Sequence, residues 1–233
     1  MLTPADDYPL HQTPEPMAFA GGDRNFYDRF FFNGYSADGK VFFAVALGVY
    51  PQLNIMDASF SLSYGGKQYN LRTSKEMMGD RLNLTLGPLT LEIVRPLQET
   101  RIHVRDNDSG LKADITAVAR HAPIEEPRFT RRQGTRLMMD LTRATQNIEW
   151  QGSLELDGTK LSVDGCRGTR DRSWGIRQVG AAEAQAPVPP APSQFYWLWT
   201  PVNFDTAAFF CHTNDDGEGE AWNRKAVFQD FQA

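Results

Sequence analysis

The sequence predicts an all-β fold, an antiparallel meander that curls into a barrel, and three observations predict it. Apolar and polar residues alternate at period two over short segments, Gly- or Asp-containing turns separate those segments, and no clear amphipathic helix comes between them. A long meander leaves open edges, and closure on itself removes them.

In chain order, Pro4, Pro9, Pro14 and Pro16 break regular structure before Phe19, so residues 1–24 are expected to be an arm. Phe26, Tyr27, Phe30, Phe31, Phe32 and Tyr35 then crowd a strand or a helical turn, and the density favours the strand. Val41 to Val49 is a continuous apolar run ending before Pro51, as in a strand buried on both faces. Ala58, Phe60, Leu62 and Tyr64 alternate into Gly65-Gly66, and Tyr69 and Leu71 resume beyond it, which is a hairpin. The pattern recurs around Gly87-Pro88, around Asp106 to Gly110 and around Asp157-Gly158. Residues 136–147 read as a helix or as a loop over the barrel mouth, because Leu137, Met138 and Leu141 sit at helical spacing.

These elements assign residues 25–179 to the barrel. The run at 180–193, rich in Pro and Ala, is a linker by composition. Residues 194–233 carry two or three strand-like runs. They either close the first barrel or begin a second β domain that is incomplete in this sequence, the first barrel then being one of a tandem pair.

Composition restricts the functional classes. Hydrophobic residues at 41% and aromatics at 12% supply a core, and 24 Lys and Arg against 29 Asp and Glu leave a net charge of −5. No basic field exists to attract nucleic acid or an anionic membrane, and no segment is long and apolar enough for membrane insertion. The acidic, Pro-broken start lacks the features of a secretory leader, so a cytoplasmic location is expected. Cys166 and Cys211 form neither a disulfide framework nor zinc spacing, and both read as reduced thiols. His103 and His121 have no acidic partner at ligand spacing, the acidic run from Asn214 to Glu220 lacks the ligand order of a calcium loop, and no nucleotide or hydrolase fingerprint is present. No metal and no cofactor are therefore expected.

Chemistry concentrates at Arg167-Gly-Thr-Arg-Asp-Arg-Ser-Trp-Gly-Ile-Arg, where four arginines surround Asp171. Arg170, Arg172 and Arg177 with Gly175 read as a structural motif, an ion-pair knot fixing a strand end. The sharper reading places Asp171 beside Trp174 in a dry pocket, as a proton donor to an alkene or carbonyl. Tyr196, Trp197 and Trp199 supply further π faces for an apolar ligand. Alternation sends Trp197 and Trp199 to one face and Tyr196 to the other, so a single cavity takes only one set. His212 is either a general base or a hydrogen-bonded core histidine.

The string Asp171-Arg-Ser-Trp-Gly175, after a strand and before the aromatic run Phe195 to Trp199, resembles the signature of the hydroxyneurosporene synthase (carotenoid hydratase) and AttH-like superfamily. The resemblance implies a tandem of lipocalin-like barrels, an isoprenoid-like or other apolar substrate, and hydration of an unactivated double bond, with Asp171 and Trp174 at the acidic and Trp motif positions. The sequence departs from the pattern at Arg172 and Ser173, where the family's hydratases often carry His or Glu.

Three readings follow. The first is a non-catalytic, lipocalin-like binder of an apolar isoprenoid-, steroid- or lipid-like molecule. The second is a cofactor-independent hydratase, cyclase or isomerase working by protonation. The third is an interaction module, homo-oligomeric or otherwise, whose partner covers an exposed sheet edge.

Overall fold

The computed structural model describes residues 2–9, 23–179 and 196–232. The Pro- and Ala-rich stretch, and Pro14, Pro16 and Phe19 of the arm, lie outside the described residues. The strands are β1 (Phe26–Tyr35), β2 (Val41–Tyr50), β3 (Ile55–Tyr64), β4 (Lys67–Glu76), β5 (Thr85–Leu86), β6 (Leu89–Arg95), β7 (Glu99–Val104) and β8 (Leu111–Ala119). They continue with β9 (Ile124–Glu125), β10 (Phe129–Gln133), β11 (Arg136–Leu156), β12 (Thr159–Ser162), β13 (Arg167–Arg177), β14 (Tyr196–Asn203), β15 (Ala207–Asp215) and β16 (Ala221–Asp230).

Thirteen of them form one antiparallel sheet ordered β4-β3-β2-β1-β13-β11-β8-β7-β6-β5, with β9, β10 and β12 added along β11. Its two ends meet where Lys75 Nζ donates to the Asn83 carbonyl at 2.6 Å, so the lipocalin-like barrel is nearly closed at the β4/β5 seam. The hairpins at Gly65-Gly66, Gly87-Pro88, Asp106 to Gly110 and Asp157-Gly158 all form. No helix among the described residues is long and apolar enough to cross a membrane.

Two elements differ from expectation. Residues 136–147 are the first half of the 21-residue β11, because Leu141, Arg143 and Thr145 pair with Gly175, Ser173 and Asp171 across the sheet. Cross-strand pairing overrides the local helical spacing. The run from Val41 to Val49 is not buried on both faces. Val41, Phe43, Val45, Leu47 and Val49 point inward, while Phe42 stands 46% exposed and Ala44, Ala46 and Gly48 make a low outer surface.

Inside, Phe43, Phe60, Trp150, Phe32 and Leu62 are fully buried, with Trp150 edge-on to Phe43 at 5.0 Å and its indole N–H donating to the Asn33 carbonyl at 2.9 Å. Burying each such large side chain contributes roughly 1.5–3 kcal/mol. The barrel interior is thus packed with its own side chains. Pro4–Asp7, a short 3-10 helix, is anchored from inside by Arg170.

The remaining strands make a separate sheet, β14-β15-β16, laid against the outer wall of β11 and β13. Arg120 anchors its far corner through Asn203 Oδ1 at 2.7 Å and the Phe204 and Asp205 carbonyls. Asn203 in turn donates to the Tyr35 hydroxyl and the Gly168 carbonyl, each at 3.1 Å. A buried seam therefore runs between the barrel wall and the small sheet.

Candidate functional site

The period of two decides what enters that seam. On β13, Arg170 and Arg172 face the barrel interior, so Asp171 and Ser173 face outward; on β11, the registered Thr145 and Arg143 share the outward face. Across the seam, β14 presents Trp199 and Trp197, and β15 presents His212. Glu126 enters from the segment after β9, its backbone N–H donating to the Arg143 carbonyl at 2.8 Å.

Glu126, Arg143, Thr145, Asp171, Ser173 and His212 are all buried. Asp171 Oδ2 lies 2.9 Å from Arg143 Nε, and Arg143 Nη1 lies 3.7 Å from Glu126 Oε2. Glu126 Oε1 accepts from the Thr145 hydroxyl at 2.6 Å and from the Trp199 indole at 3.3 Å. Its other oxygen lies 3.4 Å from His212 Nδ1. His212 Nε2 lies 2.6 Å from Asn223 Oδ1, and the Asn223 amide nitrogen donates to the carbonyls of Pro127 and Arg128 at 3.1 Å each. Because that amide is committed as a donor, its oxygen accepts Nε2–H, and neutral His212 turns the lone pair of Nδ1 toward Glu126.

Burial pushes the Glu126 carboxyl up to about 7, outweighing Arg143, Thr145 and Trp199, which favour its anion. Burial likewise lowers His212, against the hydrogen bond that its Nε2–H donates to Asn223. The Arg143 guanidinium lies over the rings of Phe129 and Trp197, each 5.1 Å from the centroid. Among the described residues, Glu126 Oε2, Asp171 Oδ1, Ser173 Oγ, the Tyr27 hydroxyl, Arg143 Nη1 and His212 Nδ1 have no hydrogen-bond partner although buried. Such atoms are costly in a merely structural network and suit a polar ligand group or reacting water.

Of the residues singled out from sequence, Asp171, Trp197, Trp199 and His212 come together here. Trp174 does not: three positions from Asp171 on one strand, it takes the opposite face, beside Arg172, and lines a shallow 270 Å³ pocket with Arg128 and Asp140. Tyr196 is 52% exposed. Arg170 binds Asp7 and Arg172 binds Asp28, both inside the barrel. Arg177 covers the Tyr27 ring at 5.2 Å. Gly175 has φ 134°, and a Cβ there would overlap the Asp140 carbonyl oxygen, so only glycine fits at this crossing with β11. Glu126 and Arg143 were not recognised from sequence. The one available signal was the polar run Arg143, Thr145, Asn147 at period two, which is buried polar strand rather than helix.

Fold and site together define a lipocalin-like β-barrel protein that carries a buried acid cluster on the outer wall of the barrel, beneath a second sheet. The chain belongs to a family of unknown function, DUF8625, whose model matches residues 2–233. No curated protein matches the sequence. Among solved structures, kievitone hydratase from Nectria haematococca is similar at a TM-score of 0.57 and 14% identity, over 98% of this chain and 65% of that one. The structure of CghA with Sch210972 is similar at a TM-score of 0.50 and 12% identity, over 97% of this chain and 66% of that one. This chain thus spans about two thirds of the length of these structures.

Proposed function

We propose that the protein is a cofactor-independent hydratase or cyclase that protonates an apolar small molecule in the seam between barrel and small sheet. The observation that carries this reading is Glu126, a buried carboxyl raised to about 7, with one oxygen held by Thr145 and Trp199 and the other without a hydrogen-bond partner among the described residues. A general acid works best when it titrates near the working pH. Similarity of fold to kievitone hydratase supports the same reaction class.

In the proposed reaction Glu126 gives its proton to one alkene carbon, and positive charge develops at the neighbouring carbon. The π face of Trp199 stabilises that charge from inside the seam, and that of Trp197, 6.3 Å away and 42% exposed, does so from its solvent edge. For hydration, water forms the new C–O bond and loses a proton to the Glu126 carboxylate, which restores the acid. For cyclisation, a second double bond of the substrate supplies the electrons, and loss of a ring proton to the same carboxylate closes the cycle. Asp171, paired with Arg143, serves to orient water through its free Oδ1. The isoprenoid-like substrates implied by the motif resemblance belong to this class.

The test is incubation of the protein with a panel of isoprenoid, polyene and prenylated aromatic compounds in water labelled at oxygen, read by mass spectrometry. The expected result is a product carrying one labelled water, or an isomer of unchanged mass, with the rate falling about 10²–10⁴-fold in Glu126→Gln, the usual contribution of a general acid. Full turnover in Glu126→Gln would remove Glu126 from this role.

A further inference from the structure

The outer wall that carries the candidate site continues past it. Strand registers align two rows on this face: Arg143, Ser173, Arg29, Gly48, Asp57 and Ser74 in one, and Thr145, Asp171, Phe31, Ala46, Ser59 and Arg72 in the other. The first two members of each row belong to the acid cluster or border it. The last members line an open groove of 590 Å³ over β2 and β3, between Arg29 on one side and Arg72 and Ser74 on the other.

The groove exists because of its floor. Ala46, Gly48 and Ser59 project almost nothing from the sheet, and a Cβ on Gly48 would overlap the Tyr50 hydroxyl, so the Tyr50 ring lies back across the strand. There the hydroxyl hydrogen-bonds to Asp57, which also accepts from the Gly48 backbone. Asp57 is therefore hydrogen-bonded by neutral donors, and Arg29 also favours its anion. Arg29 has a buried Nε without a hydrogen-bond partner among the described residues, and Arg72 stands exposed across the floor. Two guanidiniums against one already occupied carboxyl leave the groove electropositive in a protein of net charge −5.

We infer that this groove binds the acidic end group, a carboxylate or an equivalent anion, of an elongated apolar molecule. Guanidinium groups recognise such anions through paired N–H donors, and the small-residue floor admits a flat apolar body beneath them. The inference rests on the proposed function in one respect only, that the far end of the same molecule reaches the acid cluster. From Ser173 to Asp57 is three strand spacings, or about 14 Å along the wall, which sets the length of the substrate and its polarity, one acidic end and one unsaturated end.

The experiment compares binding of anilinonaphthalene sulfonate, an apolar anion, with that of uncharged N-phenylnaphthylamine, by fluorescence titration of the full chain. Saturable binding of the anion is expected, weakened at least tenfold in Arg72→Gln and in Arg29→Gln, weakened likewise when Ala46→Leu raises the floor, and tightened several-fold in Asp57→Asn. The uncharged probe should be indifferent to the arginine substitutions, and Glu126→Gln should bind the anion as the unmodified protein does. Arg72 is exposed, so its variant keeps the test valid even if Arg29→Gln folds poorly. Absence of saturable anion binding, or binding unchanged in Arg72→Gln, or binding lost in Glu126→Gln but kept in both arginine variants, overturns the inference. Neither probe has to react, so the outcome is independent of whether Glu126 transfers a proton.

Discussion

The two faces of β13 carry charged residues of equal burial and opposite completeness. Inward, Arg170 is bound by the Asp7 carboxylate, and Arg172 donates to Asp28 and to the carbonyls of Arg29 and Tyr8, with its guanidinium 4.0 Å over Phe30. Among the described residues, neither arginine has a buried nitrogen without a hydrogen-bond partner. Outward, one strand position away, Asp171, Arg143, Glu126 and His212 stand at ion-pair distances with several atoms unmatched. A satisfied buried network fixes structure. An unsatisfied one retains capacity for a ligand, and this difference, rather than charge density, separates the two halves of the Arg-rich motif.

Substitutions on the two faces should have opposite effects. The largest effect is expected inside: Arg172→Met removes the guanidinium that Arg172 supplies to Asp28 and to two carbonyls, and urea unfolding should show a loss of about 3–5 kcal/mol, the usual consequence of breaking a buried ion pair. A loss below that of an ordinary surface substitution would mean that the inner network is not structural.

Glu126→Gln should behave in the opposite way. The folded-state value of Glu126, about 7, lies above its ordinary 4.5. Its contribution to stability is therefore fully present below about 4.5 and is lost as pH rises through about 7. Relative to the unmodified protein, the Gln variant should gain stability between pH 5 and 8, by on the order of 3 kcal/mol at the upper end. Parallel pH profiles of the two proteins would show that Glu126 is not held protonated. The smallest effect belongs to Trp199→Phe, which removes one indole donor from Glu126 and Thr145 and should cost about 1 kcal/mol in thermal unfolding while shifting the Glu126 profile upward in pH.

The barrel was legible in the sequence because its information is local. Gly65-Gly66 and Asp157-Gly158 specify tight turns, and alternation such as Phe60, Leu62 across from Leu71 specifies the inner face. The candidate site was legible only in part. Asp171 stands out by its arginines and Trp197 and Trp199 by alternation, whereas pairing Asp171 with Trp174 overlooked that they are an odd separation of three apart. Glu126 sits in Glu125-Glu126-Pro127, where sequence cannot tell which carboxylate is buried; pairing of Glu125 with Ala144 decides it by delivering the next residue into the seam. Such long-range registers are set by the sheet as a whole and leave no local mark.

The 21-residue strand β11 serves as a shared wall, and its consequence is evolutionary as well as mechanical. Residues 143 and 145 face the seam while 144 and 146 face the opposite way, so point changes at alternate positions can retune chemistry without disturbing the barrel lining. An insertion or deletion of one residue there would exchange the two sets wholesale, driving Arg143 onto the inner face beside Arg172 and Ala144 into the acid cluster. The reading frame of side chains along this strand therefore survives substitution but withstands length change only in pairs.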